Sequence, residues 1–134
     1  MSYYVKHIFK CGDGKIKDYQ RFVNANKKTD GYGSPLRYHD GICDDSCWNY
    51  GSGADWRCGF NEGIEKISKE LQDMVIKVWL ATEEWDYGKA NKHTTYLEIK
   101  NGEYLVPERR MTSDEVEYFK KTYGSHYETT LNGE

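Results

Sequence analysis

Three of the four cysteines in this 134-residue chain join a histidine in the pattern His39-x3-Cys43-x3-Cys47-x10-Cys58. Zinc favours four tetrahedral sulfur or nitrogen ligands, and closing such a site would organise a segment that has no periodicity of its own. The usual pair of short Cys-x2-Cys knuckles is missing, however, and Asp44 and Asp45 sit between the thiols. Intracellular cysteine more often serves as a small buried hydrophobe. His39, Cys43, Cys47 and Cys58 are therefore a metal set whose test is burial, and zinc is the cofactor they suggest. His39 also precedes Asp40, a carboxylate that could orient a histidine base in a small hydrolase. Pro35 and Gly41 make a helix unfavourable under that pair.

A second chemistry lies in the rings. Between Thr29 and Phe60 the sequence has no helical or strand period, yet it contains Trp48, Tyr50 and Trp56. A loop that long inside a compact domain is usually functional or stapled. Disordered segments, by contrast, are poor in aromatics. Trp and Tyr dominate binding hot spots, so these three are candidate anchors for a partner. A further set, Glu83, Glu84 and Asp86 around Trp85, offers carboxylates beside an aromatic ring, suited to an Arg/Lys-rich surface. The plainer explanation is a solvated hairpin loop with Trp85 folded onto the sheet. Phosphate could meet free N–H groups at Gly51-Ser52-Gly53, but no lysine follows at P-loop spacing.

The elements that must position these residues read as a small α+β scaffold. YYVKHIFK (3–10) predicts a strand ending at the Gly12–Gly14 turn. Ile16, Tyr19, Phe22 and Val23 then recur at helical spacing from about Lys15 to Asn26. A second helix is expected from Asn61, with Ile64, Ile67, Leu71 and Met74 as its buried stripe. VIKVWLAT (75–82) fits a continued helix or a strand. Its β-branched and aromatic content favours the strand. HTTYLEIK, Asn101-Gly102 and EYLVPE predict a hairpin with a type I′ turn, pairing Ile99 with Tyr104 and Leu97 with Val106. Thr112 with Glu115 forms a capping box, and Met111 with Val116 a hydrophobic staple, for a last helix that stops at Gly124. Residues 125–134 read as a poorly anchored tail.

Size and composition bound the rest. The chain is long enough for one domain, 1–134, with a self-sufficient core. Hydrophobic content of 37% is modest, and the 15% aromatic share compensates because each ring buries a large area. Net charge is −3, divided into about +5 over residues 1–37 and −8 beyond. The basic residues are scattered, so direct nucleic-acid binding is not expected. No apolar run reaches the ~18 residues of a membrane span, and the N-terminus lacks a signal-peptide pattern. The expected compartment is the cytoplasm, and no membrane partner is expected.

From Asn61 to Pro107 the ISKEL-type helix, the strand ending in Glu83-Glu84 and the Asn101-Gly102 hairpin resemble the small ferredoxin-like domains carried by phages and plasmids. The resemblance covers about a third of the chain and brings no catalytic residue. It implies a mobile-element origin and a small inhibitor acting on a host or defence component.

The expected fold is thus α+β: an antiparallel sheet of three to four strands, two to three helices packed on one face, and a long irregular loop 29–60. The expected function is non-enzymatic binding, with the chain occluding a protein or a protein–nucleic-acid complex such as a nucleic-acid-targeting assembly. The alternatives are a zinc-stapled interaction module, a small hydrolase using His39 and Asp40, and a protein that sequesters a nucleotide or signal molecule.

Overall fold

Two strands carry apolar residues at both odd and even positions, and this sets the architecture. The structure, a computed structural model, describes residues 2–29, 36–39, 41–45, 49–51, 55–86 and 88–124, with side chains described outside 2–4, 45–61, 84–86 and 90. In β1 (Ser2–Cys11), Val5, Phe9 and Cys11 enter one core while Ile8 enters another. In β5 (Ile76–Asp86), Ile76, Val78 and Leu80 join the first core and Trp79 and Ala81 the second. Side chains alternate across a strand, so such a sheet must be covered on both faces. The run 75–82 is therefore a strand from Ile76 onward, with apolar residues on both faces because both are covered.

Helices α1 (Ile16–Thr29) and α2 (Asp55–Glu70) cover the first face. Phe22 and Ala25 from α1 meet Ile64 and Ile67 from α2, with Leu71 and Met74 just beyond it. The Phe22 and Phe9 rings lie 5.1 Å apart. Each such side chain, fully buried, contributes roughly 1.5–3 kcal/mol. Helix α3 (Ser113–Tyr123) lies on the opposite face, where Phe119 packs with Ile8, Ile42, Trp79 and Ala81. The expectation of helices on one face thus holds for α1 and α2 and fails for α3. The apolar odd positions of β5 require cover of their own.

The sheet is also larger than the three to four strands expected. Among the described residues it has seven strands, all antiparallel, in the order β2-β3-β1-β5-β6-β7. The seventh, β4 (Asn49–Gly51), pairs with β1 residues 3–5 on the edge that β3 (Ile42–Asp45) takes at residues 8–9. The added strands, with β2 (Leu36–His39), lie in the segment expected to be irregular. Three or four residues are too few for a period to register. β3 and β4 form because the free edge of β1 supplies their hydrogen-bond partners, and β2 then adds to β3. Helix α2 also starts earlier than Asn61, at Asp55, so Asn61 is an interior position and not an N-cap. Gly59 within that turn reads as a breaker in sequence and is accommodated in the helix.

β6 (Lys89–Lys100) and β7 (Glu103–Arg110) form the expected hairpin, with Asn101 at φ 50° and Gly102 at φ 77° as a type I′ turn demands. Lys100 faces Glu103 and Ile99 faces Tyr104. Two register shifts then replace the expected Leu97–Val106 pair: Glu98 faces Val106, and Tyr96 faces Arg109. Pro107 lies between these pairs, on an edge strand, where a residue without an N–H is tolerated at a bulge. The bulges matter because they bring Arg109, in place of Pro107, beside Tyr96. Residues 125–134, expected as a tail, lie outside the described residues. Among the described residues no helix is long and apolar enough to cross a membrane.

Candidate functional site: a cleft beneath helix α3

A cleft of about 550 Å³ lies between helix α3 and the sheet. Two cross-strand rows form the floor. One supplies Lys10 and Lys77 and continues to Glu98, and the other starts at the buried Ile8 and supplies Trp79, Tyr96 and Arg109, across β1, β5, β6 and β7. Helix α3 contributes Asp114, Glu115, Tyr118, Phe119 and Tyr123.

Trp79 is the centre of the floor and only 8% exposed. Its ring lies 5.1 Å from Phe119, nearly parallel at 27°, with Tyr96 at 5.4 Å and Tyr123 at 5.6 Å, both tilted. Such offset and tilted contacts add to plain burial. Phe119 and Trp79 are thus structural, and the ring left open to solvent is Tyr118, 69% exposed on the α3 wall.

The ionisable groups divide into paired and unpaired. Arg109 donates two hydrogen bonds to Glu115, from Nη1 to Oε1 and from Nη2 to Oε2, both 3.0 Å. Glu115 Oε1 also accepts from the Thr112 N–H at 2.9 Å, and Thr112 Oγ1 accepts from the Glu115 N–H at 3.2 Å. The capping box and the ion pair therefore share one carboxylate. The Arg109 guanidinium, then the Thr112 N–H, pull the Glu115 pKa down to about 2. Tyr96 donates its hydroxyl to Glu98, and burial followed by that bond pushes its pKa well above the usual tyrosine range. Lys10 and Lys77 differ from these groups. They face each other directly across β1 and β5, and among the described residues neither forms a hydrogen bond or an ion pair. Opposed residues of this kind have Cβ atoms about 4.5–5.5 Å apart, close enough for two ammonium groups to share one anion.

The residues singled out in the sequence are placed elsewhere. His39 is exposed on β2 and pairs with Ile42, on the α3 face. Cys43 pairs with Tyr38, points to the opposite face and is buried in the first core. The hairpin therefore separates them, and His39 and Cys43 cannot ligate one tetrahedral ion. The buried thiol of Cys43 instead bonds Cys11, and that contact, followed by burial, raises the Cys11 pKa well above the thiol range. Among the described residues no cluster of three or more His, Cys, Asp or Glu could hold a metal ion. Asp40, Cys47 and Trp48 lie outside the described residues, as do the side chains of Tyr50, Trp56 and Cys58.

Glu83, expected in an exposed acidic set, is 1% exposed and forms an ion pair with Lys92 opposite it on β6, at 3.4 Å. The strand continues past it, so it lies within the sheet and not at its end. Glu84, Trp85 and Asp86 belong to β5, with side chains outside the described residues. The cleft itself was missed by sequence reasoning. Neither Lys10 nor Trp79 belongs to a motif that would single it out in the sequence. The alternation Lys77-x-Trp79 marks one face of β5 but does not show what lies opposite.

Compared with known proteins, the chain matches no family model, no curated protein and no solved structure.

Proposed function

We propose that the protein is a non-enzymatic binding protein that sequesters a small ligand in the cleft beneath α3, a ligand with both a flat apolar part and an anionic group. The observation that carries this reading is the Lys10–Lys77 pair, directly opposed and forming no ion pair among the described residues, with Glu98 opposite Lys77 engaged by the Tyr96 hydroxyl, beside an open aromatic wall. Like charges directly opposite each other destabilise a sheet. An anion between them would turn that repulsion into two charge-assisted hydrogen bonds. A cleft of about 550 Å³ falls within the range of small-molecule sites.

Binding is favoured over catalysis by the direction of the pKa shifts. General acid–base work needs a group that titrates near neutrality. Here Glu115 is held down at about 2 and Tyr96 is pushed above its usual range, so both keep one protonation state near pH 7. The occlusion reading drew part of its support from an outward acidic set, and Glu83 is instead buried against Lys92. A sequestering protein inhibits by removing a diffusible ligand and does not have to cover a partner's surface.

The test compares naphthalenesulfonate with neutral naphthol, followed by amide and indole chemical shifts. The sulfonate should bind in the cleft, and the double variant Lys10→Gln/Lys77→Gln should lose about ten- to hundredfold in affinity, the equivalent of one charged hydrogen bond. Equal binding of sulfonate and naphthol, or an unchanged affinity in the variant, would remove the proposal.

A further inference from the structure

We infer that the ligand of the cleft is a nucleoside monophosphate, with its phosphate between Lys10 and Lys77, its base against the open ring of Tyr118 and its ribose hydroxyls at Asp114. This rests on the cleft being the binding site, and it names the chemistry that the site's groups fit together.

Three features narrow the class. The first is the doubled cation. Lys10 and Lys77 present two ammonium groups at directly opposed positions, and neither has a partner among the described residues. A carboxylate brings a single charge, whereas a phosphate monoester carries about −1.5 to −2 at pH 7 and three acceptor oxygens. The second is the acid on the opposite wall. Arg109 and Glu115 neutralise each other through their two hydrogen bonds, which leaves Asp114 as the wall's remaining carboxylate. A carboxylate beside two lysines repels a plain anion, but it accepts from hydroxyl donors carried by the same ligand. The third is size and stacking. A volume of about 550 Å³ exceeds what an aromatic amino acid fills, and the 69% exposed Tyr118 offers a face for a base, since every base has a π-face. A lone sugar phosphate would leave that ring unused, and a nucleoside would leave the lysines unneutralised.

Calorimetric titration of the whole chain would use AMP, CMP, GMP and UMP, with adenosine, ribose 5-phosphate and inorganic phosphate as controls and naphthalenesulfonate as a probe of the cleft. At least one monophosphate should bind about tenfold or more tighter than every control. Lys77→Gln should remove that margin while leaving adenosine binding unchanged and, by relieving the repulsion from Lys10, without lowering the thermal midpoint of the free protein, and Tyr118→Ala should weaken the nucleotide without affecting inorganic phosphate. Monophosphate and nucleoside binding with equal affinity would overturn the inference, as would phosphate alone matching the nucleotide. Lysine-dependent binding of naphthalenesulfonate with no nucleotide binding would overturn the nucleotide and leave the cleft as the site. Failure of every ligand would overturn both.

Discussion

Phe119 is the buried residue through which α3 reaches the sheet. Replacing it with alanine should cost about 3–5 kcal/mol, the range for a large aromatic removed from a core. The loss would be read as a lower urea midpoint, together with a weakened near-ultraviolet signal from Trp79. Glu115 governs the same helix through pH. Its folded pKa is depressed to about 2, so the stability it supplies is present above the unfolded carboxyl value of about 4.3 and fades as pH falls through about 2. Acid titration followed at α3 amides should show that loss, and Glu115→Gln should flatten it. At the alkaline end, burial and then hydrogen bonds to Glu98 and Glu65 raise Tyr96 and Tyr104. Their contribution is present below the unfolded value of about 10 and persists until pH passes the higher folded value. Absorbance titration of phenolate should therefore leave two tyrosines un-ionised until the chain unfolds. A full tyrosine count titrating in the native state would contradict this.

At the scale of elements, the turns matter most where backbone meets backbone. Gly14 follows β1 at φ +79°, and a Cβ there would lie 2.6 Å from the carbonyl oxygen of Gly41 in the β2–β3 turn. The Gly14 carbonyl in turn accepts from the Tyr38 hydroxyl at 2.6 Å. Gly14→Ala should thus cost more than the roughly 1–2 kcal/mol of a left-handed alanine, because two turns would have to separate. Equilibrium unfolding checks this. The legibility of each element follows the range of the forces that form it. The capping box at Thr112–Glu115 and the Asn101-Gly102 turn are local chemistry, so sequence alone located them. The bulges in β7 are not local. Pro107 lies among them, but the pairing of Tyr96 with Arg109 depends on how the whole edge strand settles. β2 and β3 were legible in one respect that was passed over. Asp40-Gly41 is a hairpin dipeptide, and His39 faces Ile42 across it, with Gly41 at φ +85°. The helical onset at Asp55 carried no apolar period to announce it.

Over the whole molecule, one sheet covered on both faces explains why residues far apart in sequence meet at one site. Lys10, Lys77, Tyr96, Arg109 and Tyr118 come from five elements, and cross-strand register sets the first four as two facing pairs in neighbouring rows. No spacing rule reaches across such separations, so the α+β class could be read from the sequence while the cleft could not. Two members of the metal set show the same limit: His39 on β2 and Cys43 on β3 stand one register position apart and so face opposite sides of the sheet. The central claim is that the α3 face receives a ligand, and the most direct test is amide and indole chemical-shift mapping of the intact chain with the four nucleoside monophosphates. The account predicts saturable, concerted shifts of the Trp79 indole N–H and of the Lys10, Lys77 and Tyr118 amides, abolished in Lys10→Gln/Lys77→Gln. Shifts confined to the α1–α2 face, or unaltered by that double substitution, would contradict it.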